Sequence, residues 1–164
     1  MSRRLEMRHA YPTPAERIRA VLTDPEYLRD KLREVGGPGA ELVSRTEDNG
    51  QITVVQRQAV PETALPAAVR SFVPGDLSIT RTEVWSGPMA GTIDVVVGGA
   101  PGSVSGTIAV TPDGAGALVA ICIDASVPVP LVGGMIEQAM IDNVGKLGEA
   151  EHAFTREWLR RHPG

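Results

Sequence analysis

The end of the chain constrains it most. From Leu131 to Arg161, about thirty residues carry a helical period: Val132, Ile136, Ala139, Met140, Asn143, Leu147, Ala150, Phe154 and Trp158 fall on one face. Gln138, Asp142, Glu149 and Arg156 fall on the other. A helix of that length spans roughly 46 Å at 1.5 Å per residue. With roughly 1.5–3 kcal/mol for each large apolar side chain buried, its apolar face is among the main sources of stability. Such a face needs a second layer to lie on.

The preceding residues supply one. Residues 4 to 11 alternate, with Leu5, Met7, His9 and Tyr11 on one side, the period of a half-buried strand. TPAERIRAVLTD then reads as a short helix with Thr13 as N-cap and Pro14 at the first helical position. PEYLRDKLREVGG restarts at Pro25 and stops at Gly36 and Gly37. From Gly39 to Pro130 the period changes to two. ELVSRTEDNGQITVVQRQAV is a hairpin turning at Asp48-Asn49-Gly50, because Asn-Gly accepts the positive φ of a tight turn. Further strands follow at LSITRTEVWS, GTIDVVVG, VSGTIAVTP and ALVAICIDASVPV, the last two joined at Pro112-Asp113-Gly114. LPAAVRSFV reads equally as a helical turn or a flap. The order is strand, two helices, six antiparallel strands and a long helix, an α+β arrangement of about seven strands curving around the closing helix as one domain over 1–164.

Charge and composition narrow the partners. Sixteen basic against twenty acidic residues give a net charge of −4, and the basic residues are scattered, so nucleic acid and anionic lipid are not expected partners. The longest uncharged run, residues 95 to 112, carries glycines and prolines and does not read as a membrane span. The N-terminus has no apolar segment of a secretory signal. A single cysteine, Cys122, excludes an internal disulfide and reads as a small buried hydrophobe. These features point to a soluble, cytoplasmic protein. No Cys or His cluster, glycine-rich phosphate loop or Gly-x-Ser-x-Gly elbow is present, so no metal or cofactor is expected. No pattern sets an oligomeric state.

The opening strand followed by TPAERIRAVLTDPEYL, and the Pro-Leu-Val-Gly-Gly entry into the last helix, resemble the START-like helix-grip superfamily. This is the SRPBCC group of polyketide cyclases, lipid-transfer domains and pollen-allergen relatives. The resemblance covers essentially the whole chain. It is strongest to a bacterial branch without assigned function in which RTEVW and VPLVGG recur. It implies a cavity between sheet and helix, open to a hydrophobic small molecule such as a lipid or polyketide.

If that cavity exists, inward polar residues matter most. Asn143 is the only strongly polar side chain on the helix's apolar face, and burial obliges its amide to find a partner in protein or ligand. Arg81, Glu83 and Trp85 share a strand face. They either line the cavity, orienting a head group and packing its apolar body, or face water as a surface ion pair of small value. His9 reads as a structural residue or a ligand contact. Asp124 is either paired with Arg57 or Arg81 or exposed at a strand edge. Met135 and Met140 offer adaptable apolar surface for a ligand or for an ordinary core. Gly133 and Gly134 could bind an anion at the helix start or permit close packing. Gly145 and Gly148, outside the apolar face, suggest a bend or a soft lid.

Three functions follow from these residues. The first is a non-catalytic binding or transport protein for a hydrophobic small molecule, opening through residues 62 to 74 or the second helix. The second is a cyclase, dehydratase or aldolase without metal, using Glu83 or His9 as its acid or base. The third is an interaction module whose groove takes a protein segment.

Overall fold

The computed structural model describes residues 2–71, 75–98 and 102–164. Seven antiparallel strands form one sheet in the order β1-β7-β6-β5-β4-β3-β2, where β1 is Ser2–Tyr11, β2 Glu41–Asp48, β3 Gln51–Val60, β4 Leu77–Trp85, β5 Ala90–Gly98, β6 Ser103–Asp113 and β7 Gly116–Ser126. From β2 to β7 each strand pairs with its sequence neighbour, and β1 closes the far edge against β7 with Leu5 opposite Ile123 and His9 opposite Val119. The architecture is the α+β helix-grip arrangement that the period changes predict.

Local chemistry sets the turns. Between β2 and β3, Asn49 and Gly50 adopt φ of 51° and 79°, the left-handed pair that a two-residue hairpin needs. Gly114, with φ of 58°, turns β6 into β7. One inward face alternates along every strand; it is apolar in β5, β6 and β7, while β1, β3 and β4 place His9, Gln56, Gln58, Arg81 and Glu83 in it and β2 adds Arg45, opposite Val54, and Glu47, opposite Ile52. Cys122 lies on the outer face of β7 and is half-buried, so it is not the fully buried hydrophobe expected. Asp124 pairs with Arg4 on the neighbouring edge strand at 3.0 Å, and with neither Arg57 nor Arg81.

Two helices plug one end. α1, Ala15–Leu22, begins a residue later than the sequence suggests. Pro14 keeps an extended ψ of 147°, its carbonyl accepts from the Ile18 amide, and Thr13 makes no capping bond. α2, Pro25–Val35, carries proline at its first position and is capped by Asp24, which accepts from the amides of Glu26 and Tyr27 at 2.8 and 3.1 Å. Between β3 and β4 stand a single 3₁₀ turn, Glu62–Ala64, and a four-residue helix α3, Ala67–Arg70. The helical-turn reading of LPAAVRSFV therefore holds as far as Arg70, and residues 72–74 of the expected flap lie outside the described residues.

The closing helix α4, Gly133–Arg161, runs 29 residues, or about 43 Å. It starts two residues beyond Leu131, because Leu131 takes a left-handed φ of 70° that no right-handed helix accommodates. Its first turn is fixed by packing. A Cβ on Gly133 would come within 2.4 Å of the Val127 carbonyl oxygen, which identifies close packing as the reason for that glycine. One turn on, the buried Glu137 carboxylate accepts the Val127 amide at 2.8 Å, tying the helix to the strand before it.

Further along, Gly145 and Gly148 face β1. A Cβ at Gly148 would lie 2.5 Å from Met7 Sδ, and one at Gly145 3.8 Å from Leu5. These glycines are the contact with the sheet edge, contrary to the expectation that they lie off the packed face. They let the α4 backbone approach β1. At its C-terminal end α4 locks onto α2: Trp158 Nε1 donates to Asp30 Oδ2 at 3.0 Å, and Tyr27 meets Trp158 edge-on at 5.4 Å.

Candidate ligand-binding cavity

Drawn against β1 and clamped to α2, α4 does not meet the opposite half of the sheet closely. A cavity of about 460 Å³ lies between them. That volume falls within the range of small-molecule sites. Its walls are mostly aliphatic: Leu77 and Ile79 of β4, Ile93, Val95 and Val97 of β5, Val104 of β6, Ile121 and Ile123 of β7, and Ile136, Met140, Val144 and Leu147 of α4. Val35 at the end of α2 with Gly36 and Gly37 beyond it, Pro61, Ala64 and Leu65 after β3, and Lys146 and Ala150 on α4 also line it. Gly37, Ala64, Lys146 and Ala150 are also exposed, which marks where the cavity opens.

The inner face of β4 explains where the cavity stops. It runs Leu77, Ile79, Arg81, Glu83, Trp85; the first three line the space and the last two do not. Arg81 is the turning point. Its Nη1 donates to both carboxylate oxygens of Glu151 on α4 at 3.1 Å, and its Nη2 lies 2.8 Å from Glu83 Oε2. Lys31 of α2, only 3% exposed, reaches Glu151 Oε2 at 3.8 Å. Gln56 Nε2, across the register from Arg81, donates to Glu83 at 3.3 Å. Two cations and two carboxylates thus form a buried quartet across three elements, with no net formal charge.

Burial alone opposes every one of these charges, and mutual pairing offsets it. For Glu151, burial works to raise the carboxyl pKa, but Arg81 and Lys31 outweigh it and hold it below the usual carboxylate range. For Arg81, burial works downward while Glu151 and Glu83 reverse it, so the guanidinium stays charged. Burial does pull the Lys31 ammonium down, against the attraction of Glu151. Its Nζ also sits 5.7 Å from the centre of the Tyr27 ring. Behind the quartet the interior is solid: Tyr27 Oη and Thr155 Oγ1 are 2.6 Å apart, and Thr155 returns its hydroxyl to the Glu151 carbonyl at 2.6 Å.

Of the side chains singled out in the sequence, Arg81, Met140 and Asn143 line the cavity, and four do not. Arg81 and Glu83 form an inward, buried pair, which overturns the water-facing reading; the inner-face alternation from Leu77 carries them into the interior. Glu83 lies behind Arg81, outside the lining. Trp85 is fully buried in the solid end of the core, opposite Ile52 and against Gly91. His9 is buried under α4, stacked on His152 with ring centroids 4.4 Å apart. Met135 is 49% exposed, because one residue is about 100° of helix and sets it off the face of Ile136. Asn143 satisfies itself: its Nδ2 donates to the Ala139 carbonyl at 3.0 Å. Sequence reasoning missed Glu151, Lys31, Gln56 and Gln58. Among the described residues no three His, Cys, Asp or Glu side chains gather as a metal-ligating group, and no helix is long and apolar enough to cross a membrane.

Comparison with known proteins agrees with this architecture. The chain belongs to the family described as "Protein of unknown function (DUF2505)", whose model matches residues 6–159. It is 27% identical to the uncharacterised protein Rv0481c of Mycobacterium tuberculosis, over 97% of this chain and 98% of that protein. Among solved structures it is similar to the Zhui aromatase/cyclase from Streptomyces sp. R1128, with a TM-score of 0.69 at 13% identity over 98% of this chain and 95% of that one. It is also similar to a START superfamily protein from Mycobacterium smegmatis, with a TM-score of 0.60 at 14% identity over 95% and 98%. These likenesses show the START-like helix-grip fold.

Proposed function

We propose that this protein binds an apolar small molecule in the cavity between the sheet and α4, holding or carrying it without changing it. The observation that carries the reading is the standoff of α4 from β3, β4 and β5, which leaves about 460 Å³ walled by aliphatic side chains inside an otherwise packed core. An apolar guest there exchanges its hydration for van der Waals contact with those walls. Exchange with solvent runs through the opening between Gly37, Ala64 and α4, with the Pro61–Leu65 stretch moving aside.

One likeness favours a second reading, since a similar structure is named an aromatase/cyclase. The acid and base considered for it, Glu83 and His9, both lie outside the cavity lining. The lining acid is Glu151, whose two oxygens are already engaged by Arg81. A groove for a protein segment has less to recommend it: the exposed large apolar side chains among the described residues, Val43, Val96, Leu131 and Met135, are spread over β2, β5 and the start of α4.

Native mass spectrometry of the purified protein, with a thermal-shift screen against fractionated lipid extracts, tests the reading. The expected result is a co-purifying or stabilising apolar compound recovered with unchanged mass. A protein that stays empty and gains no stability from any fraction contradicts it.

A further inference from the structure

The polar groups at the inner end of the cavity specify more than greasiness. Among the described residues five polar side chains line the space: Gln58, Arg81, Asn143, Lys146 and Glu151. Three of them are committed or outside. Asn143 is bonded to its own helix, Glu151 is held by Arg81 and Lys31, and Lys146 is exposed. Two are left with an unused nitrogen. Gln58 is 4% exposed and its Nε2 has no hydrogen-bond partner; Arg81 spends Nη1 and Nη2 on carboxylates while its buried Nε has none.

The two sit side by side. Gln56 is opposite Arg81 in the β3–β4 register, so Gln58, two residues on, is the diagonal neighbour of Arg81 on the same face, within mutual reach of long side chains. An interior amide without a partner is costly, and a partner from outside the chain relieves it. The same site refuses charge. Lys31, Arg81, Glu83 and Glu151 already balance, so an ionised head group of either sign brings one uncompensated charge into a desolvated end wall.

We infer that the natural occupant is a neutral, mainly aliphatic molecule with an oxygen acceptor of the carbonyl kind, seated on Gln58 and Arg81, and that ionised amphiphiles of the same length are discriminated against. This rests on the ligand-binding reading above and deepens it. The quartet acts as a neutral, donor-bearing floor, and the guest's chain points back along the aliphatic walls toward the opening.

Displacement of a neutral apolar dye by four matched compounds tests it: tridecyl methyl ketone, myristate, tetradecylammonium and tetradecane, each below its aggregation concentration. The ketone is expected to bind about tenfold or more tighter than each of the others. Gln58→Leu should bring ketone and alkane within about threefold of each other, and an unchanged circular dichroism spectrum with cooperative thermal unfolding reports that the variant is folded. In the unaltered protein, lowering pH until myristate takes up its proton should narrow its disadvantage, a readout that needs no variant. Myristate binding as tightly as the ketone at neutral pH, or ketone and alkane binding alike, overturns this inference while the cavity remains a binding site. Failure of all four to displace or bind removes the ligand-binding reading itself.

Discussion

Arg81 on β4 and Glu151 on α4 meet across the interior, one guanidinium nitrogen 3.1 Å from both carboxylate oxygens. This contact joins the far half of the sheet to the helix at the point where the cavity ends. Removing one member leaves the others buried and unbalanced. Arg81→Met is therefore expected to cost about 3–5 kcal/mol in urea unfolding. Adding Glu151→Leu, which restores the balance, should recover a large part of that loss, so the double variant is more stable than the sum of the two single losses predicts. Strict additivity would mean that the pair does not couple helix to sheet.

The two mid-helix glycines of α4 should respond in opposite ways. A methyl at Gly145 meets Leu5 at an ordinary 3.8 Å, so Gly145→Ala gains helix propensity at no steric cost. It is expected to add about 0.5–1 kcal/mol, or about 1–4 °C in thermal midpoint. At Gly148 the new atom would fall 2.5 Å from Met7 Sδ, and anything larger than alanine must push the helix from β1. Gly148→Leu should lower stability by about 1–3 kcal/mol. Equal thermal shifts for the two changes would contradict the close approach at Gly148.

Leu131 carries a φ of 70° with its side chain fully in solvent, so no packing compensates its left-handed backbone. Leu131→Asn keeps the turn with a residue that tolerates that conformation, and a gain of about 0.5–1 kcal/mol is expected. A loss of stability on calorimetry would indicate a contact that compensates the leucine.

His9 makes stability depend on mild acid. Burial first, then the stacked His152, holds its pKa below the ordinary 6.5, despite Glu149 Oε1 at 3.9 Å from Nε2. As pH falls through about 6.5 the unfolded chain takes up a proton that the folded chain refuses, so stability drops in that window and is regained on raising the pH. Glu151, held below 4.5, adds a separate loss at lower pH as its carboxylate becomes protonated. Thermal midpoints measured from about pH 7.5 to 5 should fall for the unaltered protein and stay nearly flat for His9→Phe. An equal fall in both would place the sensitive group elsewhere.

How much of this was legible in the sequence follows from periodicity. The period of two from Gly39 to Pro130, the Asn-Gly turn and the amphipathic end carry the order of elements, and each pairs or packs as its pattern requires. The site was read less completely. Gln56 and Gln58 continue the inward alternation of Ile52 and Val54, and two amides in that row are a signal of a polar interior. Glu151 stands four residues beyond Leu147 and four before Thr155, inside the helical face where an acid is unexpected. Lys31 sits in the stripe of Tyr27, Leu28 and Leu32. Each looks like a surface residue by type, and only its position in the period marks it as inward. The pairing among them joins α2, β4 and α4 over separations that no local pattern encodes. The exposure of Met135 follows from the same helical period, which sets it about 100° from Ile136.

Methyl-resolved NMR of the folded protein titrated with a neutral long-chain ketone tests most directly whether the gap beneath α4 receives a guest. Saturable shifts are expected at Ile79, Ile93, Val95, Met140 and Val144, while Val43 and Val96 on the outer surface stay unmoved. Saturable shifts confined to the outer valines, or no saturable shifts anywhere, would contradict an interior site.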